Sequence, residues 1–429
     1  MSQLLALAGL SARMLVEAAR DGGFRAAALD LFGDADTRRA AEAWLPIGDP
    51  ERLAIDGDTL FAALRSLRAQ GASGWIAGSG FEADIGLLAA GARLLPLIGN
   101  AAEVVAAVRD PANFFSRLAA LGIPHPATRF APPLAAAGWL RKNAYSSGGR
   151  EVSPVEHGVL PGAGGSPSDS DSHCNSDADV GNGGIHYQRL TPGRPMSVLF
   201  LADGRSSRVL GVNRQIVRHL GRQPFVFRGC IGPVPVPPVV RDALHGIVDA
   251  LTADFGLRGL NGLDLLLDGK RLAVLELNPR PPASIALYPD ALPGGLIRAH
   301  LAASLDGRLL AGAGDGNGAV VSVGQVARAS TVRGVEVVFA REHHRIDATA
   351  AAALARWPWC HDLPQHGSSV PPAAPLCTVS AAGGTETEVQ ALLRQRRRQI
   401  PFLLEQYDES SCTVSPEPGV AGQHVLECQ

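Results

Sequence analysis

Along residues 1–98, short apolar runs alternate with stretches whose apolar positions recur at helical spacing. The run at 4–8 reads as a buried strand. Gly9-Leu10-Ser11 turns it, and 12–21 has a helical pattern. Residues 26–30 read as a second strand, followed by a polar turn over 32–36. A helix is predicted near 59–70, a strand at 75–77 ending in Gly78-Ser79-Gly80, and another strand ending at Ile98. Strands and helices at this spacing predict a small parallel α/β domain over residues 1–98. Its ligand-facing edge should lie at the strand C-termini, near Gly9, Ser11, Asp30 and Ser79. The Gly9 turn lacks the third glycine of a dinucleotide site and reads as structural.

Beyond that domain the pattern changes. Asp110-Pro111 is a helix start, with Asp110 as N-cap, and the helix ends before Gly122-Ile123-Pro124. A strand at 139–142 runs into Tyr145-Ser146-Ser147-Gly148-Gly149. Residues 161–184 are rich in Gly, Ser, Asp and Asn, too poor in apolar groups to offset ordering entropy, and predict a flexible insertion. Segments 197–201 and 207–212 alternate as an antiparallel pair, and 239–255 reads as a helix. Residues 260–267 and 272–277 flank Asp268-Gly269-Lys270 and predict a β-hairpin. A last unit, 318–407, has short strands at 319–326, 335–339 and 376–380 and a closing helix at 386–406; the tail 408–429 should fray. The expected divisions are 1–98, 99–187, 188–310 and 318–407.

Composition narrows the function. A chain of 429 residues, 46% hydrophobic and 19% charged, buries a sizeable core. The net charge of −2 gives no field for nucleic acid. The one dense basic run, Arg394 with Arg396-Arg397-Arg398, reads as the solvated face of a helix. The six cysteines form no zinc spacing and read as free thiols in a reducing compartment. No signal peptide or membrane span is apparent, so a soluble, cytoplasmic protein without a membrane partner is expected. Of 39 basic residues only Lys142 and Lys270 are lysine. An arginine-using chain that keeps lysine at Lys142, beside a Ser/Gly loop, points to a phosphate contact there; Lys270, on a hairpin tip, reads as surface.

The hairpin carries the sharper chemistry. Glu276 and Asn278 are two apart on a strand and share a face. A three-residue loop, Gly269-Lys270-Arg271, would set Asp264 opposite Glu276, whereas a two-residue turn would send Asp264 to the other face. Two carboxylates and an amide oxygen on one face make a Mg²⁺ site, and Arg280 just beyond reaches the same phosphate.

Lys142 with Ser146-Ser147-Gly148-Gly149, then Asp264, then Glu276-Leu277-Asn278-Pro279-Arg280, resembles the ATP-grasp superfamily, in particular its predicted carboligases related to biotin carboxylase. The resemblance covers roughly residues 1–405 apart from the insertion. It implies an α/β (α+β) ATP-grasp fold with a pre-grasp parallel domain and a C-terminal β-rich cap. ATP with Mg²⁺ or Mn²⁺ would be the cofactors. Lys142, Ser146, Ser147, Gly148 and Gly149 would contact phosphate, the hinge Gln188-Arg189-Leu190 would hold adenine, and Lys142 and Arg280 would be catalytic. The implied activity is carboxylate–amine ligation through an acyl phosphate, on a small carboxylate and an amine. One subgroup it resembles joins glutamate to tyramine in making methanofuran-type cofactors. Alternatives are a biotin-carboxylase-like carboxylation and a non-catalytic nucleotide-binding protein; a homodimer is left open.

The chain departs from the family at Pro111, where a lysine is usual, at Asn143, where proline is usual, and at Gln188 or Arg189, where glutamate is usual. Lost phosphate contacts would fall to Arg214 or Arg280. Ser11, Ser79, Glu82, Ser284 and His300 are candidates for the substrate pocket. His343, His344, His361 and His366 read as surface or packing residues, and His361-Asp362 lacks an accompanying nucleophile motif.

Overall fold

A computed structural model describes residues 2–146, 148–155, 184–310 and 331–408. Ser147, the insertion apart from Gly184, the strand expected at 319–326 and the tail from 409 lie outside the described residues.

The N-terminal lobe is a parallel sheet of β1 (Leu4–Ala8), β2 (Arg25–Asp30), β3 (Ala43–Pro46) and β4 (Gly74–Ala77), in the order β3-β2-β1-β4. Helices α1 (Arg13–Asp21), α2 (Ala35–Ala40), α3 (Gly57–Ala69) and α4 (Gly86–Leu94) flank it. The expected strand ending at Ile98 is reduced to a single parallel bridge, Trp75 to Leu97. Asp30, expected at a ligand edge, is structural. Its carboxylate accepts the N–H groups of Ala12 and Gly33 and the Trp44 indole N–H, which leaves it little capacity for a ligand.

Helices α5 (Ala102–Arg109) and α6 (Pro111–Ala120) join this lobe to the next. Asp110 caps α6 as expected, accepting from Ala112 and Asn113 at 2.9 and 3.4 Å, with Pro111 in the first turn. A small antiparallel sheet follows: β5 (Thr128–Arg129), β6 (Trp139–Asn143), β7 (Val152–Pro154) and β8 (Ile185–Arg189), in the order β5-β8-β6-β7.

Eight further strands build one antiparallel sheet. They are β9 (Arg194–Asp203), β10 (Ser207–Leu220), β11 (Gln223–Gly232), β12 (Arg258–Asp268), β13 (Arg271–Asn278), β14 (Val332–Phe339), β15 (Cys360–His361) and β16 (Pro375–Gly383). The order is β13-β12-β9-β10-β11-β14-β16-β15. Four helices belong to this part: α7 (Pro238–Phe255), α8 (Leu296–Leu305), α9 (Ala348–Ala355) and α10 (Glu386–Asp408). Strand β9 is buried on both faces, which explains its nearly continuous apolar run. Val198 and Phe200 join the core under α7 and α10; Leu199 and Leu201 join the core under α1 and α8. The second face looks toward the N-terminal lobe and carries the polar residues described next.

The basic run on α10 is only partly a solvated face. Arg394 and Arg398 are exposed, but Arg396 donates to the Ser380 carbonyl and Arg397 lies 3.5 Å from the buried carboxylate of Glu336. The Arg396 guanidinium lies over Trp359, 5.4 Å from the ring centroid, so a cation–π contact competes with solvation there.

Candidate active site

The β12–β13 hairpin places Asp264 directly opposite Glu276, the expected pairing, by a different device. Asp268 pairs with Arg271 across a two-residue turn, which would by itself put Asp264 out of register. A β-bulge at Leu275 restores it: Leu265 faces Val274, and the next pair is Asp264 with Glu276. The bulge has a second effect. Val274 and Glu276 are two apart yet point to opposite faces, Val274 into the core under α7 and Glu276 toward Asp264. Asn278, opposite Gly262, shares the carboxylate face, and its Nδ2 donates to Asp264 at 3.3 Å.

Arg109 is the residue that sequence reading missed. It is 5% exposed at the C-terminal end of α5 and donates to Glu276 at 2.6 Å. Its other terminal nitrogen donates to the carbonyls of Ala144 and Ser146 (the latter at 3.1 Å). One guanidinium thus ties a hairpin carboxylate to the Ser/Gly loop. Its Nε is buried without a hydrogen-bond partner.

Lys142, on β6 opposite His186, donates to Gln188 at 3.2 Å. Burial lowers its pKa against the opposing pull of Glu276 and Asp264, so its ammonium faces the same carboxylates. His186 is pushed down to about 4 by burial and Lys142, and its Nδ1 has no hydrogen-bond partner. Burial would raise the Glu276 carboxyl, but Arg109 and then Lys142 and Arg280 hold it below its ordinary value. Burial and the charge of Glu276 push Asp264 up to about 7. The pair therefore carries one firm negative charge and one carboxyl poised near neutrality.

The Ser/Gly loop lies against β11. Gly148 and Gly149 have φ of +69° and +73°, and the Gly148 carbonyl accepts the Phe227 N–H at 2.9 Å. A Cβ on Gly149 would overlap the Phe225 carbonyl oxygen, so only glycine allows this approach. Ser146 reaches the site through its backbone carbonyl, and Ser147 is outside the described residues.

At the hinge, Gln188 is buried, whereas Arg189 and Leu190 are exposed. The Arg189 and Leu190 N–H groups donate to the carbonyls of Ala127 and Gly138. Both N–H groups are thus taken up within the protein in this conformation.

Arg280 donates to Glu82, and its Nη2 is 3.5 Å from the Asn278 amide oxygen. Glu82 comes from the loop after β4, where the strand order of the N-terminal lobe reverses, and its other oxygen accepts the Gly80 N–H. Arg214, the alternative phosphate contact, is on the wrong face. It shares the parity of Val212 and Ile216 on β10 and pairs with Glu386 of α10 at 3.0 Å.

Two buried groups anchor the hairpin to the N-terminal lobe. The Asn100 amide donates to Asn261 and Pro279 and accepts the Arg258 N–H. His300 accepts the Leu260 N–H at 2.9 Å and lies 3.0 Å from the Ile98 carbonyl through Nε2. Both ring nitrogens of His300 are thus engaged, which removes it from the substrate candidates. The cavity it lines with Glu82, Asn100 and Arg280 is about 30 Å³, room for water and not for an amino acid.

Among the described residues, no helix is long and apolar enough to cross a membrane. No curated protein sequence matches this chain. Residues 108–284 match the sequence model of a family described as the ATP-grasp domain. That span runs from the residue before Arg109 through the hairpin to Ser284. Three solved structures give the wider likeness. A biotin carboxylase–βγ-ATP complex from Campylobacter jejuni has a TM-score of 0.64 at 14% identity, covering 91% of this chain and 90% of that one. An L-amino acid ligase from Bacillus licheniformis has a TM-score of 0.61 at 13% identity, covering 92% and 96%. An N5-carboxyaminoimidazole synthase from Aspergillus clavatus, in complex with ADP and its aminoimidazole ribonucleotide, has a TM-score of 0.60 at 13% identity, covering 94% and 99%. The lysine strand, glycine loop and acidic hairpin thus lie within a segment that matches the ATP-grasp domain, and about nine-tenths of the chain shares its fold with these three proteins.

Proposed function

We propose that the protein joins a small carboxylate to an amine, using ATP and forming an amide through an acyl phosphate. The observation that carries this reading is the hairpin end, where Asp264, Glu276 and Asn278 share one face and Arg280 follows.

The donor set fits a hard dication. Two carboxylates and an amide face one another, and burial with the Glu276 charge pushes Asp264 up. Asp264, Glu276 and Asn278 would hold Mg²⁺ or Mn²⁺. The metal would supply neutralisation of phosphate charge. Lys142 would steady phosphate oxygens, with the Ser146–Gly149 loop laid over them to keep water out. Arg109 stands in for the lysine that Pro111 replaces, since it already reaches both Glu276 and the loop. Adenine would lie at the 188–190 hinge, read by groups other than the two engaged N–H donors. Arg280, oriented by Glu82, would meet charge on the transferred phosphoryl group.

In the reaction a carboxylate oxygen of the substrate attacks the γ-phosphorus and ADP leaves. The amine nitrogen then attacks the acyl carbon, phosphate leaves, and the nitrogen releases a proton. No protein side chain becomes covalently linked. Glutamate and an aryl-ethyl amine, as in methanofuran-type cofactor synthesis, are the first pair to test, on the sequence resemblance. A carboxylation through carboxyphosphate is the second reading, favoured by the likeness to biotin carboxylase.

The experiment is an ADP-release screen of amino acids paired with amines, with Lys142→Ala as control and bicarbonate as a separate arm. With ¹⁸O in the substrate carboxylate, one label should appear in the released phosphate. ADP release that needs bicarbonate and no organic acid would replace the first reading by the second. Release that needs neither would remove both.

A further inference from the structure

We propose that the seam between the N-terminal lobe and the C-terminal cap holds a second metal site, for a first-row divalent cation such as Zn²⁺ or Mn²⁺, with Glu17, Asp36 and His361 as ligands. The inference is independent of the ligase reading and of the hairpin.

The three residues come from α1, α2 and β15, more than 300 positions apart at the extremes. Each offers one ligand atom, and the three atoms lie within 4.8 Å of one another. Ligands bound at 2.0–2.2 Å in a tetrahedral site stand about 3.4 Å apart, so closure needs only side-chain adjustment. Asp36 is held ready: it is 3% exposed, and its two oxygens accept the N–H groups of Asp362 and Leu363 at 2.9 and 3.0 Å. Those bonds leave lone pairs for a metal. The Ser380 hydroxyl lies 2.8 Å from His361 Nε2 and fixes the ring, the arrangement that metal-binding histidines use.

The charge of the seam is out of balance. Arg13 is 4% exposed and donates to Glu17 at 2.8 Å and to Asp362 at 2.6 Å, with Asp36 at 3.5 Å. One guanidinium thus serves three carboxylates. Asp34 adds a fourth. It is 8% exposed, makes no capping hydrogen bond to its helix, and has no ion pair among the described residues. Asp362, Asp30 and Asp36 stand near it, with Arg13 as the cation. Several buried carboxylates around one guanidinium are costly to retain unless a further cation meets them. Mixed carboxylate and imidazole donors suit Zn²⁺ or Mn²⁺ better than the all-oxygen hairpin, which suits Mg²⁺.

The test uses the full chain without nucleotide. Asp264→Asn/Glu276→Gln removes the hairpin carboxylates. That variant is dialysed against Zn²⁺ or Mn²⁺ and its metal content measured; a parallel Co²⁺ titration reads the visible absorption of a nitrogen-ligated site. One equivalent should remain bound, and adding His361→Ala should weaken it at least tenfold and abolish the Co²⁺ spectrum. Glu17→Gln, at a side chain one-third exposed, should weaken binding without unfolding the seam. Metal should raise the melting temperature of the hairpin variant and leave that of His361→Ala unchanged. No bound equivalent, or binding indifferent to both His361→Ala and Glu17→Gln, would overturn the site.

Discussion

Replacing Arg109 tests the link between the hairpin and the Ser/Gly loop. Arg109→Met keeps the buried stem and removes the guanidinium. Three contacts vanish: the 2.6 Å bond to Glu276 and the bonds to the carbonyls of Ala144 and Ser146. Hydrogen bonds to charged groups contribute about 1.5–3 kcal/mol each. Glu276 is 37% exposed, so water relieves part of the loss on that side. A total near 4 kcal/mol follows, about 2 of it from the ion pair. The assay is urea unfolding of the wild type, Arg109→Met, Glu276→Gln and the double variant, without nucleotide. The coupling energy in that cycle should be about 2 kcal/mol. Arg109→Lys should recover the ion pair in part but not the bonds to the loop carbonyls, because it lacks the planar fork. A coupling energy below about 0.5 kcal/mol would refute the reasoning, since the two side chains would then act independently.

Further predictions concern the loop, the lysine and acid stability. Gly149→Ala should displace the loop from β11 and lower the ADP-release rate at least tenfold while the melting temperature stays nearly constant; an unchanged rate would contradict the packing argument. Lys142→Ala should raise KM for ATP about 10- to 100-fold, the loss of one charge-assisted phosphate contact, measured in the same ADP assay. His300 has a folded pKa of about 4 against 6.5 unfolded. The unfolded chain therefore binds the extra proton between those values, and stability falls as pH drops from 6.5 to 4, by about 3 kcal/mol from this residue. Urea unfolding at pH 7, 6 and 5 should show a smaller acid loss in His300→Gln than in the wild type; equal losses would contradict it.

Much of the hairpin was legible because carboxylates interrupt an apolar strand, which packing alone does not explain. The Asp264–Glu276 pairing was read correctly through the wrong turn: a bulge at Leu275 leaves no mark that distinguishes it from a longer loop. Arg109 was hidden because it is one arginine among many, and its partner lies 167 positions away. Arg214 was misassigned although its parity with Val212 and Ile216 was present in the sequence, since an arginine can pack its stem under a helix and keep its head on a glutamate. The partners of the hinge N–H groups, Ala127 and Gly138, sit on connecting segments with no periodic signal. Local periodicity reveals faces; it does not reveal which distant face is brought opposite.

The central claim is that Asp264, Glu276 and Asn278 converge on a dication beneath the ATP phosphates. Its most direct measurement is Mn²⁺ binding, followed by electron paramagnetic resonance, with and without a non-hydrolysable ATP analogue. In the wild type the analogue should tighten Mn²⁺ binding at least tenfold, and in Asp264→Asn/Glu276→Gln that gain should vanish. Equal tightening in both proteins would contradict the claim.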